Sequence, residues 1–155
     1  MVPSGSIAVT RPPTPRCRQS SRSLSFFAAM SVCFIRITES ATGKSFFYIP
    51  GCAKIDDDLA ARIRGASLVF FDGTLWHENE MIEQGLLGKT GTRMGHINMS
   101  GPDGSIAALA PLGVARKIYV HINNSNPALN AFSKERQETE AAGWVIGEDG
   151  MEIQL

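Results

Sequence analysis

Residues 67–72, SLVFFD, and residues 117–122, KIYVHI, decide the fold. Each is a short apolar run with no polar alternation, the pattern of a strand covered on both faces, as in a parallel sheet layered with helices. Each also ends in a residue with chemistry: Asp72 closes the first, and His121 lies at the end of the second. Working outward, residues 32–38 (VCFIRIT) and 45–49 (SFFYI) read as a hairpin bent at Gly43 and stopped by Pro50-Gly51. Asp56-Asp57-Asp58 then opens a helix over LAARIRG, with Gly65 just past its end. Residues 105–112 (SIAALAPL) suggest a helix disturbed at Pro111. Residues 133–142 (SKERQETEAA) read as a charged surface helix capped by Ser133 and Gly143. Residues 144–147 and 151–155 read as a last hairpin around Asp149-Gly150. Between the two decisive strands, residues 72–101 form a long irregular stretch holding His77 and His96. Loops of that length inside a domain are usually functional. The order of elements indicates an α/β fold, one sheet layered with helices.

The chain has 155 residues, enough for one domain, and its 15 Lys+Arg balance 15 Asp+Glu. That balance argues against nucleic acid as a partner, since phosphate contacts need surplus cations. No run approaches the roughly 20 apolar residues of a membrane helix. Cys17, Cys33 and Cys52 are sparse and form no CxxC pair, which favours a reducing, cytoplasmic setting over a disulfide scaffold. The charge is unevenly spread. Residues 1–30 carry Arg11, Arg16, Arg18 and Arg22, no acid, four Pro and six Ser. This segment is expected to be a disordered basic tail, because it has too little apolar surface to offset its ordering entropy.

In a layered α/β protein, sites gather at the carboxyl ends of strands. Asp72 and His121 come from two such ends, and their oxygen and nitrogen donors suit iron, manganese or zinc. His96, in MGHINMSG, is the third candidate. Other readings stay open: an Asp after a strand often bonds its own turn, and a His in an apolar strand is often half-buried and satisfied. His77 reads as a surface residue. SGPDGS lacks a following Lys or Arg and reads as a helix entry rather than a phosphate loop. No HxHxDH, P-loop, GxGxxG or GxSxG pattern is present.

FFDGTLWHENEMI (70–82), KTGTRMGHINMSGPDGSIAALAPLGVARKIYVHINNSNP (89–127) and ETEAAGWVIGEDGMEIQL (138–155) closely resemble the C-terminal part of the coenzyme PQQ synthesis protein B family, of the metallo-β-lactamase superfamily. The resemblance runs from about Ser31 to Leu155. It implies the C-terminal half of an αββα sandwich, with a metal site between two sheets. By position, Asp72 and His121 resemble superfamily metal ligands, and His96 resembles a catalytic, non-ligand histidine of related hydrolases. Asn123, Asn124 and Ser125 are candidates for binding substrate or for shaping the turn. The implied function is biosynthesis of pyrroloquinoline quinone (PQQ), as part of a non-haem iron oxygenase, zinc being the alternative metal, that hydroxylates the tyrosine ring of a Glu–Tyr precursor. The other readings are transport of PQQ or its precursor to the periplasm, a non-functional truncated fragment, and a hydrolase. The family's N-terminal metal motif is absent here. The expectation is therefore an exposed inner sheet face, a tendency to self-associate, poor iron binding and no turnover by this polypeptide alone.

Overall fold

Alternation along the strands sets one sheet with two unlike faces. The structure is a computed structural model and describes residues 7–10 and 33–155. Six strands lie in chain order across the sheet: β1 (Ile7–Thr10), β2 (Cys33–Glu39), β3 (Ser45–Gly51), β4 (Val69–Asp72), β5 (Lys117–Val120) and β6 (Trp144–Ile146). β1, β2 and β3 pair antiparallel, and β3 to β6 run parallel. The parallel connections carry the helices: α1 (Asp57–Ile63) between β3 and β4; α2 (Glu80–Glu83), α3 (Gly91–Met94) and α4 (Ser105–Leu109) between β4 and β5; α5 (Lys134–Ala141) between β5 and β6. The α/β class read from the sequence is the one observed.

Local signals explain the helices. Asp56 caps α1 by accepting from the Leu59 amide at 2.9 Å, and Ser133 caps α5 by accepting from the Arg136 amide at 3.0 Å. SGPDGS is a helix entry, as expected. Gly104 is the N-cap of α4, and a Cβ there would lie 2.1 Å from the Ser100 carbonyl oxygen, so only glycine fits.

The core lies on one face. Phe47 and Ile49 of β3, Val69 and Phe71 of β4, Tyr119 of β5 and Trp144 and Ile146 of β6 pack with Leu59 and Ile63 of α1 and Leu109 of α4. Tyr119 and Trp144 stack at 3.9 Å between ring centroids. The alternate residues face the other way. Phe70 meets Phe46 edge-on at 5.4 Å. Phe46, Phe70, Ile118 and Val120 line an open groove of about 770 Å³. Burial of SLVFF on both faces is therefore corrected: Val69 and Phe71 are sealed under helices, while Phe70 is only half-buried. An unbroken apolar run records apolar neighbours on both sides, not their completeness.

Three further expectations change. The final hairpin does not form. The Gly147 amide continues β6 back to the Tyr119 carbonyl at 2.8 Å and a turn closes from the Met151 amide to Glu148. Side-chain cations then take the last two carbonyls: Lys44 Nζ donates to Leu155 and Arg116 Nη1 to Gln154. The stretch 72–101 is not wholly irregular, since α2 and α3 lie within it. The tail expected to be disordered lies outside the described residues except for 7–10. There IAVT, the tail's own β-rich run, pairs with residues 36–39 as an edge strand. No helix among the described residues is long and apolar enough to cross a membrane.

One prediction separates the two faces. Phe71→Ala is expected to cost about 3–5 kcal/mol in urea denaturation, the range for a sealed aromatic. Phe70→Ala should cost clearly less.

Candidate metal centre

The parallel register places the site. Asp72 pairs with Val120 across β4 and β5, so His121, the next residue, stands beside the Asp72 side chain at the carboxyl ends of both strands. Gly73 allows this closeness: a Cβ there would lie 2.9 Å from Tyr119 Cβ and 3.1 Å from Ile122 Cγ1. His121 is the only non-glycine described residue at positive φ, 55°. That conformation costs on the order of 1–3 kcal/mol and persists where surrounding contacts impose it. The Gly73 amide donating to Val120 O at 2.9 Å and the Asn123 amide donating to Thr74 O at 3.2 Å impose it here.

His96 arrives from the other side. Thr90 caps α3 and Glu78 accepts from the Thr92 amide. Gly95, at φ 95°, ends the helix and turns the chain so that His96 enters the site. His96 Nδ1 lies 2.8 Å from Asp72 Oδ2, and its ring stacks against that of His121 at 5.3 Å.

Asp72 is wholly buried and accepts four hydrogen bonds. The Cys52 amide reaches Oδ2 at 2.9 Å alongside His96 Nδ1. The Thr74 amide at 3.1 Å and the Thr74 hydroxyl at 2.6 Å reach Oδ1. The bond to its own turn expected of Asp72 is thus present, in the same side chain that faces His96. The bond from His96 to this carboxylate raises the imidazole above the ordinary histidine range; burial opposes the shift, and the negative charge of Asp72 adds to it. Burial, with the same charge, pushes the Cys52 thiol up to about 12, so it stays protonated near neutrality.

Asp72, His96 and His121 each offer a ligand atom, and these atoms lie within 4.8 Å of one another. One carboxylate and two imidazoles are a donor set that zinc and iron accept, so the residues fit a metal ion. The structure thus brings the three sequence candidates together. His77 remains at the surface, 3.5 Å from Glu83.

The three candidates for substrate contact separate. Asn123 Nδ2 donates to Ser125 Oγ at 2.7 Å, and the Ser125 hydroxyl donates to Glu80 Oε1 at 2.9 Å. Both side chains are thereby occupied in holding the loop. Asn124 is exposed and lines the groove beside His121. Sequence reasoning passed over Glu80 and Thr74. Glu80 is fully buried, and its other oxygen accepts from the Trp76 amide. Thr74 was legible in one respect: position i+2 after a strand-ending Asp is where an Asx turn places its donor.

Two outcomes follow from this geometry. The His96 imidazole should titrate above about 6.5 by NMR, and Asp72→Asn should lower the midpoint. Because the folded value is raised, the stability it contributes is full below about pH 6.5. That stability is lost as pH rises through the folded value, which denaturation of the metal-free protein against pH will show. Separately, Gly73→Ala should force β4 and β5 apart at their ends and remove metal binding, while the circular dichroism of the helices persists.

Comparison with known proteins bears on the same residues. The β-lactamase superfamily domain matches residues 12–122. Coenzyme PQQ synthesis protein B of Bradyrhizobium diazoefficiens is 56% identical over 121 residues, 78% of this chain and 39% of that protein. The Xanthomonas axonopodis pv. citri protein of the same name is 56% identical over 108 residues, 70% of this chain and 36% of that protein. Among solved structures, Zn(2+)-bound PqqB from Methylobacterium extorquens superposes with a TM-score of 0.75 at 48% identity, covering 81% of this chain and 45% of that one. The metallo-β-lactamase fold protein YhfI from Bacillus subtilis shares the fold at a TM-score of 0.52 and 17% identity, covering 76% of this chain and 42% of that one. This chain spans under half the length of each of these relatives and, with its mixed sheet and strand-end cluster, belongs to the β-lactamase superfamily and, within it, to the coenzyme PQQ synthesis protein B family.

Proposed function

We propose that Asp72, His96 and His121 are this chain's share of a metal centre that serves PQQ biosynthesis, and that the step served is hydroxylation of the tyrosine ring of a Glu–Tyr precursor. The observation that carries the reading is the cluster itself: two imidazoles and one buried carboxylate, gathered at strand ends in a chain 48% identical to a zinc-bound PqqB. Two histidines and a carboxylate are also the donor set of non-haem iron oxygenases; zinc takes the same set, and it is the proposed hydroxylation that calls for iron as the working metal. Iron in such a site supplies the redox chemistry that ring hydroxylation by dioxygen requires.

The chain's own residues prepare the site. Asp72 brings a buried charge, and for it to take an ion directly one of its four hydrogen bonds gives way. His96 keeps the Nδ1 proton that it gives to Asp72 and offers an ion its Nε2, which in the imidazolium form must first lose its proton, so metal uptake is coupled to proton release. The raised His96 value makes that coupling act above the ordinary histidine range. Asn124, exposed on the groove beside His121, is the side chain placed to hydrogen-bond a polar amino-acid substrate.

Titration of the 155-residue protein with Zn²⁺ or anaerobic Fe²⁺ tests the first half. Binding should release protons, weaken as pH falls, and drop by at least about tenfold in Asp72→Asn and His121→Ala. Unchanged binding in both variants would refute the centre. Mass spectrometry of the Glu–Tyr compound incubated with reductant, dioxygen and the iron-loaded full-length PqqB of Methylobacterium extorquens tests the second half. Gain of one oxygen on the tyrosine ring is the expected result there and not with this chain alone, which holds only a share of the centre; its absence with the fully loaded full-length protein refutes ring hydroxylation.

A further inference from the structure

We infer that Thr74 is a positioning residue: its hydroxyl fixes His121 as the Nδ1–H tautomer, so that Nε2 carries the lone pair offered to a metal. The inference rests on the metal-centre reading above for its consequence, but its geometry stands on its own.

Thr74 Oγ1 lies 2.6 Å from Asp72 Oδ1, 2.9 Å from His121 Nδ1, 3.0 Å from His96 Nδ1 and 3.0 Å from the His121 carbonyl oxygen. A hydroxyl has one proton and two lone pairs. At 2.6 Å, two oxygens with no proton between them would repel, so the Thr74 proton points to Asp72 Oδ1. His96 Nδ1 faces Asp72 Oδ2 at 2.8 Å. That oxygen has only lone pairs to offer, so the proton there belongs to His96. His121 Nδ1 is left facing an oxygen whose single proton is already placed. A hydrogen bond can form only if His121 Nδ1 is the donor and Thr74 the acceptor. Directing the Thr74 proton to the His121 carbonyl instead leaves this conclusion unchanged.

Both imidazoles are then protonated at Nδ1, and both leave Nε2 free. The two tautomers have different origins. That of His96 is held by Asp72, whose Oδ2 can only accept, with Thr74 Oγ1 a second oxygen at 3.0 Å, whereas that of His121 depends on Thr74. In a neutral imidazole, the nitrogen that holds the proton is chosen by the partner of the other nitrogen, and a metal ligand needs the choice made correctly. Free histidine prefers the opposite, Nε2–H form, so without the hydroxyl His121 would present its proton where a metal should bind.

Two-bond proton–nitrogen correlation spectra of histidine-labelled protein, recorded without metal at alkaline pH where imidazoles are neutral, decide the matter. The wild-type chain should show Nδ1–H on both His96 and His121. Thr74→Val keeps the shape and removes the hydroxyl; it should shift His121 to Nε2–H and leave His96 as it was. Thr74→Ser should restore the wild-type pattern. Zinc affinity should fall by about tenfold or more in Thr74→Val and recover in Thr74→Ser. His121 found as Nε2–H in the wild type, or an unchanged His121 in a folded Thr74→Val, overturns the assignment. If Thr74→Val does not fold, the wild-type and Thr74→Ser spectra still decide, because Nε2–H in either one overturns it. Failure of the wild type to bind zinc would instead remove the metal-centre reading, leaving the tautomer result to stand or fall separately.

Discussion

A carboxylate sealed from water is the constraint to which the neighbouring structure answers. Burying such a group is tolerable only where its lone pairs are filled. The four donors around Asp72 come from the end of β3, from the turn after β4 and from the loop after α3. These segments are far apart in sequence, so one side chain ties together the strands and the long connection. Polar groups that are fully satisfied in this way rigidify their surroundings; a half-satisfied set would be worse than none. Burial, with the Asp72 charge, keeps the cysteine nearby protonated, and the bond to Asp72 is why the histidine nearby holds its proton.

The sheet makes this arrangement possible at low cost. Parallel strands bring their carboxyl ends to one edge, and the core beneath them, with the Tyr119–Trp144 stack at its centre, holds those ends in register. The only described non-glycine residue in a left-handed conformation is His121, just beyond this rigid base. Local strain therefore sits at the site and is supported by packing elsewhere.

Much of the fold was legible because it is written locally. The apolar runs of β4 and β5, the aspartates before α1 and Ser133 before α5 are short-range signals, and each produced the element it indicates. The features that were missed are non-local. Nothing in SLVFF tells that Val69 is sealed while Phe70 looks into a groove, since that depends on which side the crossover helices take. MEIQL resembles a strand arm until Lys44 and Arg116, distant in sequence, claim its last two carbonyls. In the site, Asp72 and His121 could be chosen by their strand-end positions and, through family likeness, His96 as well. That likeness gives His96 as a catalytic, non-ligand histidine, and the fold sets its Nδ1 2.8 Å from Asp72. Thr74 and Glu80 were invisible because their importance lies in what they touch across the chain.

Glu80 has a consequence of its own. It is enclosed completely and joins the backbone at Trp76 to the hydroxyl of Ser125. A buried carboxylate thus fastens the connection that follows β4, which carries Thr74, to the loop that follows β5, which carries His121, so a charge distant from the metal candidates helps fix how far apart two of them stand.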